Sequence, residues 1–525
     1  MKMKTKYILL SALMLIFAVG CEKYLDIPKH GNMGGQDEFY QTDEQAMQAL
    51  ASLYGTWDGV YYNWFFAKNM LSDDAFAGGG NRGDNSNLEQ LNEYTFGTDN
   101  TVVKDLYASM YALIYKANLI IEKVAPDTPV KARAVAEAKF FRAWAYFDLV
   151  TLYGPVPKVD RLLDPGEYRM GNSTVEQLWE FIEQDLNQAI ESNTLPSKSS
   201  ANDAETGMRV TKEVAQSMLG KSYLFQGKYA DAAAILDQVI DSKKYELFKG
   251  DYDMLLHAAN NNSCEAMLEI QKRKDPEQMS WAHPENMSMF YLMFGWRSDR
   301  LDMGGSLAAV IEPGTWGFFN PRKSLYDAFV AMEGANGYRL NSTLRTAQQM
   351  EKGGVKVQAG QYLAGHEGYF IWKTRLLKED NVSPGTQPWF VWTNYRVMRY
   401  AEVLLLAAEA HVQGGDKSKA LNYINQIRDR ARLAPLGSVT LDDVKKEKRL
   451  ELCLESVRFQ DLVRWGDAET VLADQGSQVP AFTGSETKYM WSNPTYGFKA
   501  KHKLLPIPRK EMELNPNMKQ NEGWE

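Results

Sequence analysis

KEVAQSMLGKSYLFQGKYADAAAILDQV, residues Lys212–Val239, reads as two apolar-periodic runs joined at a short glycine-bearing turn. Leu219, Gly220, Tyr223, Gly227, Tyr229, Ala232 and Leu236 fall at the spacings of a tetratricopeptide helix-turn-helix unit, whose small residues let two helices approach closely. A second copy, RYAEVLLLAAEAHVQGGDKSKALNYINQIRDRA (Arg399–Ala431), has Ala408, His411, Gly415, Ala420 and Ile424 in matching places. Fainter echoes lie around Ala108–Leu119 and Ala136–Leu149. A unit of this kind cannot bury its apolar face alone, so the copies are expected to stack into a helical wall although other sequence separates them. The fold class expected is mainly α, with tetratricopeptide-type helices at about 105–153, 212–240 and 399–431.

Outward from these units the helical signal continues. Thr42 with Gln45 has capping-box spacing, followed by Ala46, Ala49, Leu50, Leu53, Tyr54 and Trp57 on one face. AEAKFFRAWAYFDLVTLYG is apolar nearly all round, which predicts a helix covered on several sides and ended by Pro155 and Pro157. SDDAFAGGGNRGDNSN (Ser72–Asn87) has no period and dense Gly, Asp and Asn, so an exposed loop is expected. Residues of about 260–390 are rich in Gly, Pro, Asn and aromatics, the composition of a variable, loop-bearing region where recognition usually resides.

The chain of 525 residues can bury a large core, and its 13 Trp and 27 Tyr give it a surplus of rings. Lys2, Lys4 and Lys6 precede an uncharged run from Tyr7 to Val19 and then small Gly20, the layout of a secretory leader at 1–20 that is too short to span a membrane. Losing its three lysines takes the formal charge from −8 to −11. An acidic exported protein is a poor partner for nucleic acid, which is bound by neutralising phosphates.

The three cysteines, Cys21, Cys264 and Cys453, are too few for a disulfide scaffold. Cys453 shares a helical face with Leu450, Leu454 and Val457 and is read as a buried, inert thiol. Cys264 is read in the same way. Cys21 follows the leader directly and is similar to the acylated cysteine of a bacterial lipobox, with Ala18 where that pattern prefers leucine. Cleavage near Gly20 leaving a free thiol is the alternative.

Five stretches together resemble the SusD/RagB family of outer-membrane lipoproteins: CEKYLDIP, AEAKFFRAWAYFDLVTLYGPVP, RYAEVLLLAAEA, EKRLELCLESVRFQDLVRWG and LLPIPRKEMELNPNMKQNEGW. Such proteins capture nutrients, most often oligosaccharides, beside a TonB-dependent SusC-like transporter. The resemblance implies a lipidated tether at 21–40, a SusD-like body at 41–525, tetratricopeptide-like helices facing the transporter, and a ligand site in the irregular half. It also implies anchoring by lipid at Cys21 on the outer-membrane surface, and Glu22 is similar to the signals that send such lipoproteins outward.

Motifs for chemistry are sparse. Gly78, Gly80 and Gly83 spell GxGxxG, but no apolar strand precedes them and no periodic helix follows. The six histidines are scattered singly, without zinc spacing, and no cofactor is expected. DDAFAGGGNRGDNSN is oxygen-rich enough for calcium yet lacks EF-hand spacing. Asp73, Asp74, Asp299 and Asp302 are the acids that could serve a glycoside hydrolase, although accepting hydrogen bonds from sugar hydroxyls is the simpler role. Arg449, Glu451, Glu455, Arg458, Asp461 and Arg464 recur at helical spacings, as helix-surface or packing ion pairs do.

The remaining constellation is aromatic. Trp281, Trp296 and Trp316 sit beside polar, Pro or Gly residues, a context for partly exposed rings. Tyr291 joins them as a candidate, while Met287, Phe290, Tyr291 and Phe294 also fit a helical core stripe. A pyranose offers C–H faces to an indole and rim hydroxyls to polar groups, and Asp73, Asn81 and Arg82 are the expected polar partners. Trp389, Trp392 and Tyr395 form a reserve group, and Trp64 in NWFFAKN is expected to pack inside. The expectation is therefore a non-catalytic oligosaccharide-binding lipoprotein. A transporter lid or peptide-binding subunit with little glycan affinity, and a glycoside hydrolase, are the alternatives.

Overall fold

Thr42 starts the first helix. Its hydroxyl accepts from the Gln45 backbone N–H while the Gln45 side chain accepts from the Thr42 N–H, so two otherwise unpaired donors are satisfied reciprocally. In this computed structural model, which describes residues 39–279, 289–385 and 388–525, the helices that follow are α1 (Asp43–Met70), α2 (Ser86–Glu93), α3 (Thr101–Lys123), α4 (Pro129–Tyr153), α5 (Val175–Glu191), α6 (Lys212–Phe225) and α7 (Tyr229–Asp241). Within the irregular region comes α8 (Lys323–Glu333), and beyond it come α9 (Tyr400–Gly414), α10 (Lys417–Arg430), α11 (Leu441–Leu452) and α12 (Arg458–Trp465). The leader and almost all of the predicted tether, Cys21 included, lie outside the described residues, as do Met287 and Trp281.

The helices pack in sequence: α1 on α3, α3 on α4, α4 on α5, α5 on α6, and α6 on α7. The next neighbour of α7 is α9, so the two helix-turn-helix units meet directly across the sequence that separates them. Gly220 explains how close two of these helices come. A Cβ there would stand 2.5 Å from Cγ of Leu236, so any side chain would push α6 and α7 apart. Polar groups then tie unit to unit, with Asp237 on α7 accepting from Tyr423 Oη at 2.8 Å and Lys419 Nζ at 2.6 Å on α10. Buried Lys221 on α6 meets Glu402 on α9 at 2.7 Å. The α4 helix is buried on nearly every side, as its composition demands.

The irregular half carries short strands: β1 (Ala75–Gly78), β2 (Ala266–Ile270), β3 (Leu301–Met303), β4 (Phe318–Pro321), β5 (Leu344–Thr346), β6 (Val355–Val357), β7 (Leu363–Ala364), β8 (Tyr369–Ile371), β9 (Tyr395–Arg399), β10 (Gln478–Phe482) and β11 (Thr487–Ser492). All pair antiparallel, as β1 with β4, β2 with β9, β3 with β6, β5 with β8, and β7 with β10 with β11.

Two sequence expectations are corrected. Ser72–Asn87 is not one exposed loop, because residues 72–80 are buried, Ala75–Gly78 forms β1 and Ser86 opens α2. Gly78 is there for closeness, since a Cβ on it would lie 2.3 Å from the Asn320 amide nitrogen. The helix containing Leu450 stops at Leu452, and Leu454 and Ser456 take left-handed φ of 66° and 65°. Asn69 holds that turn, donating to Ser456 Oγ at 2.7 Å and accepting from its N–H at 3.2 Å. Cys453 is nonetheless buried, and burial pushes its thiol up to about 12. Cys264 is half-buried.

The charges of α11 and α12 are packing ion pairs, the second of the two arrangements expected of them, and not helix-surface ones. Glu451 meets Arg339 at 3.0 Å and Arg399 at 2.7 Å, and Glu455 meets Lys373 at 2.6 Å and Arg399 at 2.7 Å. Arg464 reaches Glu409 on α9, and Asp461 takes Lys448 at 2.9 Å. The partners of Glu451 and Glu455 come from chain-distant segments, which helical periodicity alone does not register, while Asp461 and Arg464 keep the i,i+3 spacing at 2.8 Å.

Candidate functional site

An open groove of about 630 Å³ lies where α1, the glycine-rich turn and the segment before β4 converge. Met293 and Phe318 line its apolar part, and Tyr62, Trp316, Asp84, Asn85 and Arg297 complete it. Trp316 is 40% exposed. Its backbone is fixed on both sides: the Trp316 N–H donates to Leu292 O and the Gly317 N–H to Gly295 O, each at 2.9 Å. Gly317 takes φ 76°, and a Cβ there would lie 2.6 Å from Cβ of Arg297, so this turn needs glycine for both space and conformation.

Arg297 organises the polar edge. One guanidinium nitrogen donates to Trp316 O at 3.0 Å, and the head pairs with Asp299 at 2.7 Å and approaches Asp84 at 3.8 Å. Asp84 is held by the Gly80 N–H at 2.6 Å, and Asn85 caps α2 by accepting from Leu88 N–H at 3.3 Å. Beyond that turn Asn81 accepts from Tyr362 Oη at 2.9 Å and Arg300 at 3.3 Å. The groove thus offers a flat apolar ring beside one cation, a carboxylate and an amide, a set that meets both the C–H face and the hydroxyl rim of a sugar.

Of the predicted residues, Trp316 lines this groove, whereas Asn81 is exposed and borders a separate small cavity with Arg82. Arg82 turns away, with both terminal nitrogens on the Glu93 carboxylate. Trp296 is a correction: it is buried, its indole N–H donates to Ile371 O at 2.9 Å, and its ring stacks on Trp372. Tyr291 is another, buried between Phe290 and Tyr395, and burial raises its hydroxyl far above the usual value. Asp73 is a third, buried against Arg449 and Arg458 at 2.8 Å each. Burial alone would raise its carboxyl, but those two cations hold it below the usual range. In the reserve group Tyr395 is core, stacked on Tyr61 at 4.4 Å, while Trp389 and Trp392 are half-buried.

Tyr62, Asp84, Asn85 and Arg297 were not expected. Asp84 and Asn85 continue the same glycine-rich stretch as Asn81, and Arg297 directly follows Trp296, so proximity in sequence was the available signal. The oxygen-rich turn spends Asp73 and Asp74 on arginines, and among the described residues no group of three His, Cys, Asp or Glu is placed to hold a metal ion. No helix of the described residues is long and apolar enough to cross a membrane.

Fold and groove define a helix-walled protein whose candidate site is an open surface groove on the irregular side. Two family models cover most of the chain, one described as starch-binding associating with outer membrane over residues 23–224 and one as the SusD family over residues 314–524. The chain belongs to the SusD/RagB family. It is 24% identical to SusD-like protein P25 of Formosa agariphila, with 98% of each chain covered, and 24% identical to starch-binding protein SusD of Bacteroides thetaiotaomicron, covering 99% of this chain and 100% of that one. Among solved structures a laminarin binding SusD-like protein superposes with TM-score 0.77 at 28% identity, over 92% of this chain and 100% of the other. Surface glycan-binding protein A from Bacteroides thetaiotaomicron, in complex with laminarihexaose, shares the fold at TM-score 0.74 and 23% identity, over 92% of this chain and 100% of the other.

Proposed function

We propose that this protein captures oligosaccharide without catalysis, laying a sugar face on Trp316 while Arg297, Asp84 and Asn85 meet the rim hydroxyls. The observation that carries this reading is a 40% exposed indole held rigidly beside those three polar groups in one groove. Covering apolar ring area is worth roughly 25 cal/mol per Å², and after the costs of association a few sugars held this way reach the micromolar to millimolar range. That range suits capture followed by release. The 28% identical laminarin-binding relative supports a β-glucan of the laminarin type as the first ligand to try.

Hydrolysis has less support. Asp73 and Asp74 are bound to arginines, Asp299 is turned onto Arg297, Asp302 is exposed on β3, and none of the four lines the groove. Family membership supports the remaining steps: acylation of Cys21 fastens the body to the outer membrane, the helical wall faces a TonB-dependent SusC-like transporter, and bound glycan is handed to it.

Affinity gels containing laminarin or starch test the site. Wild-type protein should be retarded and Trp316→Ala should run free; equal retardation of both rejects the groove. Release of reducing ends above a heat-killed control rejects the non-catalytic reading. Mass analysis of native protein should find lipid on Cys21, and an unmodified thiol there rejects the anchor.

A further inference from the structure

A second ring cluster lies away from the groove. Tyr326 on α8 and Tyr369 on β8 stack at 4.6 Å and 27° between planes, and both are half-exposed. Tyr489 on β11 is 50% exposed, and its hydroxyl donates to Glu367 at 3.0 Å. Glu367 also accepts from the Lys323 N–H at 2.6 Å, which pins the carboxylate beside the rings. Three tyrosines and a fixed carboxylate reproduce the pairing of ring faces with hydrogen-bonding groups seen around Trp316.

This cluster is joined to the groove by a traceable path. Phe318 pairs with Gly78, and a Cβ on Gly365 would stand 2.7 Å from Gly78 N, so strand and loop touch there. Gly365 N–H donates to Pro480 O, and Pro480 stands opposite Tyr489. At strand spacing these four backbone steps place Phe318 and Tyr489 at most roughly 20 Å apart. Trp491, two residues from Tyr489, shares a small cavity with Asn81 and Arg82, in the turn whose continuation, Asp84 and Asn85, lines the groove. A chain several sugars long covers that span.

We propose that Tyr326, Tyr369 and Tyr489 form a second carbohydrate platform that engages the same glycan chain as the Trp316 groove, so the protein selects long chains over short ones. The proposal rests on the glycan-capture reading of the groove. Burial and the neighbouring acids Asp327 and Glu367 raise the Tyr369 hydroxyl to about 12, so it stays protonated and can donate to a sugar oxygen.

Titration calorimetry of the full-length protein with laminaribiose, laminarihexaose and laminarin separates the two sites. Wild type should bind laminarin at least about tenfold more tightly than laminaribiose, the ratio expected when further ring area is covered. Tyr369→Ala/Tyr489→Ala should remove most of that gain and leave laminaribiose binding unchanged, with an unaltered melting temperature. Trp316→Ala should weaken all three ligands. An unchanged laminarin affinity in the tyrosine double variant, or equal wild-type affinity for short and long chains, overturns the second platform and leaves the groove standing. Laminarin binding lost in the tyrosine variant but intact in Trp316→Ala overturns the groove and keeps the platform as a site of its own. Absence of binding to laminarin and starch by wild type overturns both.

Discussion

Arg399 donates to Glu451 at 2.7 Å in a place where the two side chains are 3% and 0% exposed. Glu451 also takes Arg339 and Arg430, and Arg399 also takes Glu265 and Glu455, so one buried network clamps β9, α10, α11 and the residue before β2 together. The irregular half is thereby fastened to the helical wall by charge as well as apolar packing. Desolvated guanidinium groups tolerate burial only while their carboxylates remain. Glu451→Ala should therefore cost about 3–5 kcal/mol in urea unfolding, the usual penalty for stranding a buried charge. A loss under about 1 kcal/mol would mean that water reaches the cluster and solvates it.

The same network sets an acid limit. Burial by itself would raise the carboxyl groups of Glu451, Glu455 and Asp461, but Arg430 and Arg399, Arg399 and Lys373, and Lys448 and Arg464 respectively hold them below their ordinary range. A carboxylate depressed on folding contributes stability above its unfolded pKa and loses it as pH falls toward the folded one. Asp74 and Asp185, raised by burial, work in the opposite sense and offset part of this. Melting temperature should stay level from pH 7 to about 5 and drop steeply below about 4, where the unfolded carboxylates take up protons. Glu451→Gln should flatten that drop; a profile identical to wild type would remove Glu451 from the account.

Two tryptophans in similar sequence surroundings should behave oppositely. Trp296→Ala empties a buried site whose indole N–H is bonded to Ile371 O, so it should cost about 3–5 kcal/mol of stability. Trp316→Ala removes a 40% exposed ring and should shift stability by less than about 1 kcal/mol, with its loss in glycan retention instead. Chemical denaturation beside affinity gels reads both. A destabilised Trp316→Ala would make that ring a packing residue and not a contact.

That contrast shows what was and was not legible. Thr42 with Gln45, the apolar stripe after them and the small residues of Lys212–Val239 are local signals, and the helices they predict are present. The strands are only a few residues long and, apart from the β10–β11 hairpin, draw partners from farther along the chain, as when Ala75 pairs with Pro321, so no local period marks them. GWRSD and GTWGF look equally loop-like around Trp296 and Trp316. What separates them is whether a distant carbonyl, Ile371 O, arrives to meet the indole, which only the assembled fold decides. Asp73 was misread for the same reason: its arginines stand more than three hundred residues away in sequence.

The wall itself depends on a missing side chain. Because a Cβ at Gly220 would approach Leu236 Cγ at 2.5 Å and Cδ2 at 2.6 Å, even alanine must displace a packed leucine, and a larger side chain must part α6 from α7. Gly220→Leu should lower stability by about 1–3 kcal/mol through overpacking, and Gly220→Ala by less, because Leu236 can move part of the way and alanine favours the helix. Helix content by circular dichroism should hold at native conditions while the urea midpoint falls. The α7 helix carries Asp237, which joins the second unit through Lys419 and Tyr423, so a double variant with Asp237→Ala should lose more than the two single changes added together. Strict additivity would mean that the α6–α7 spacing and the bond between units are set independently.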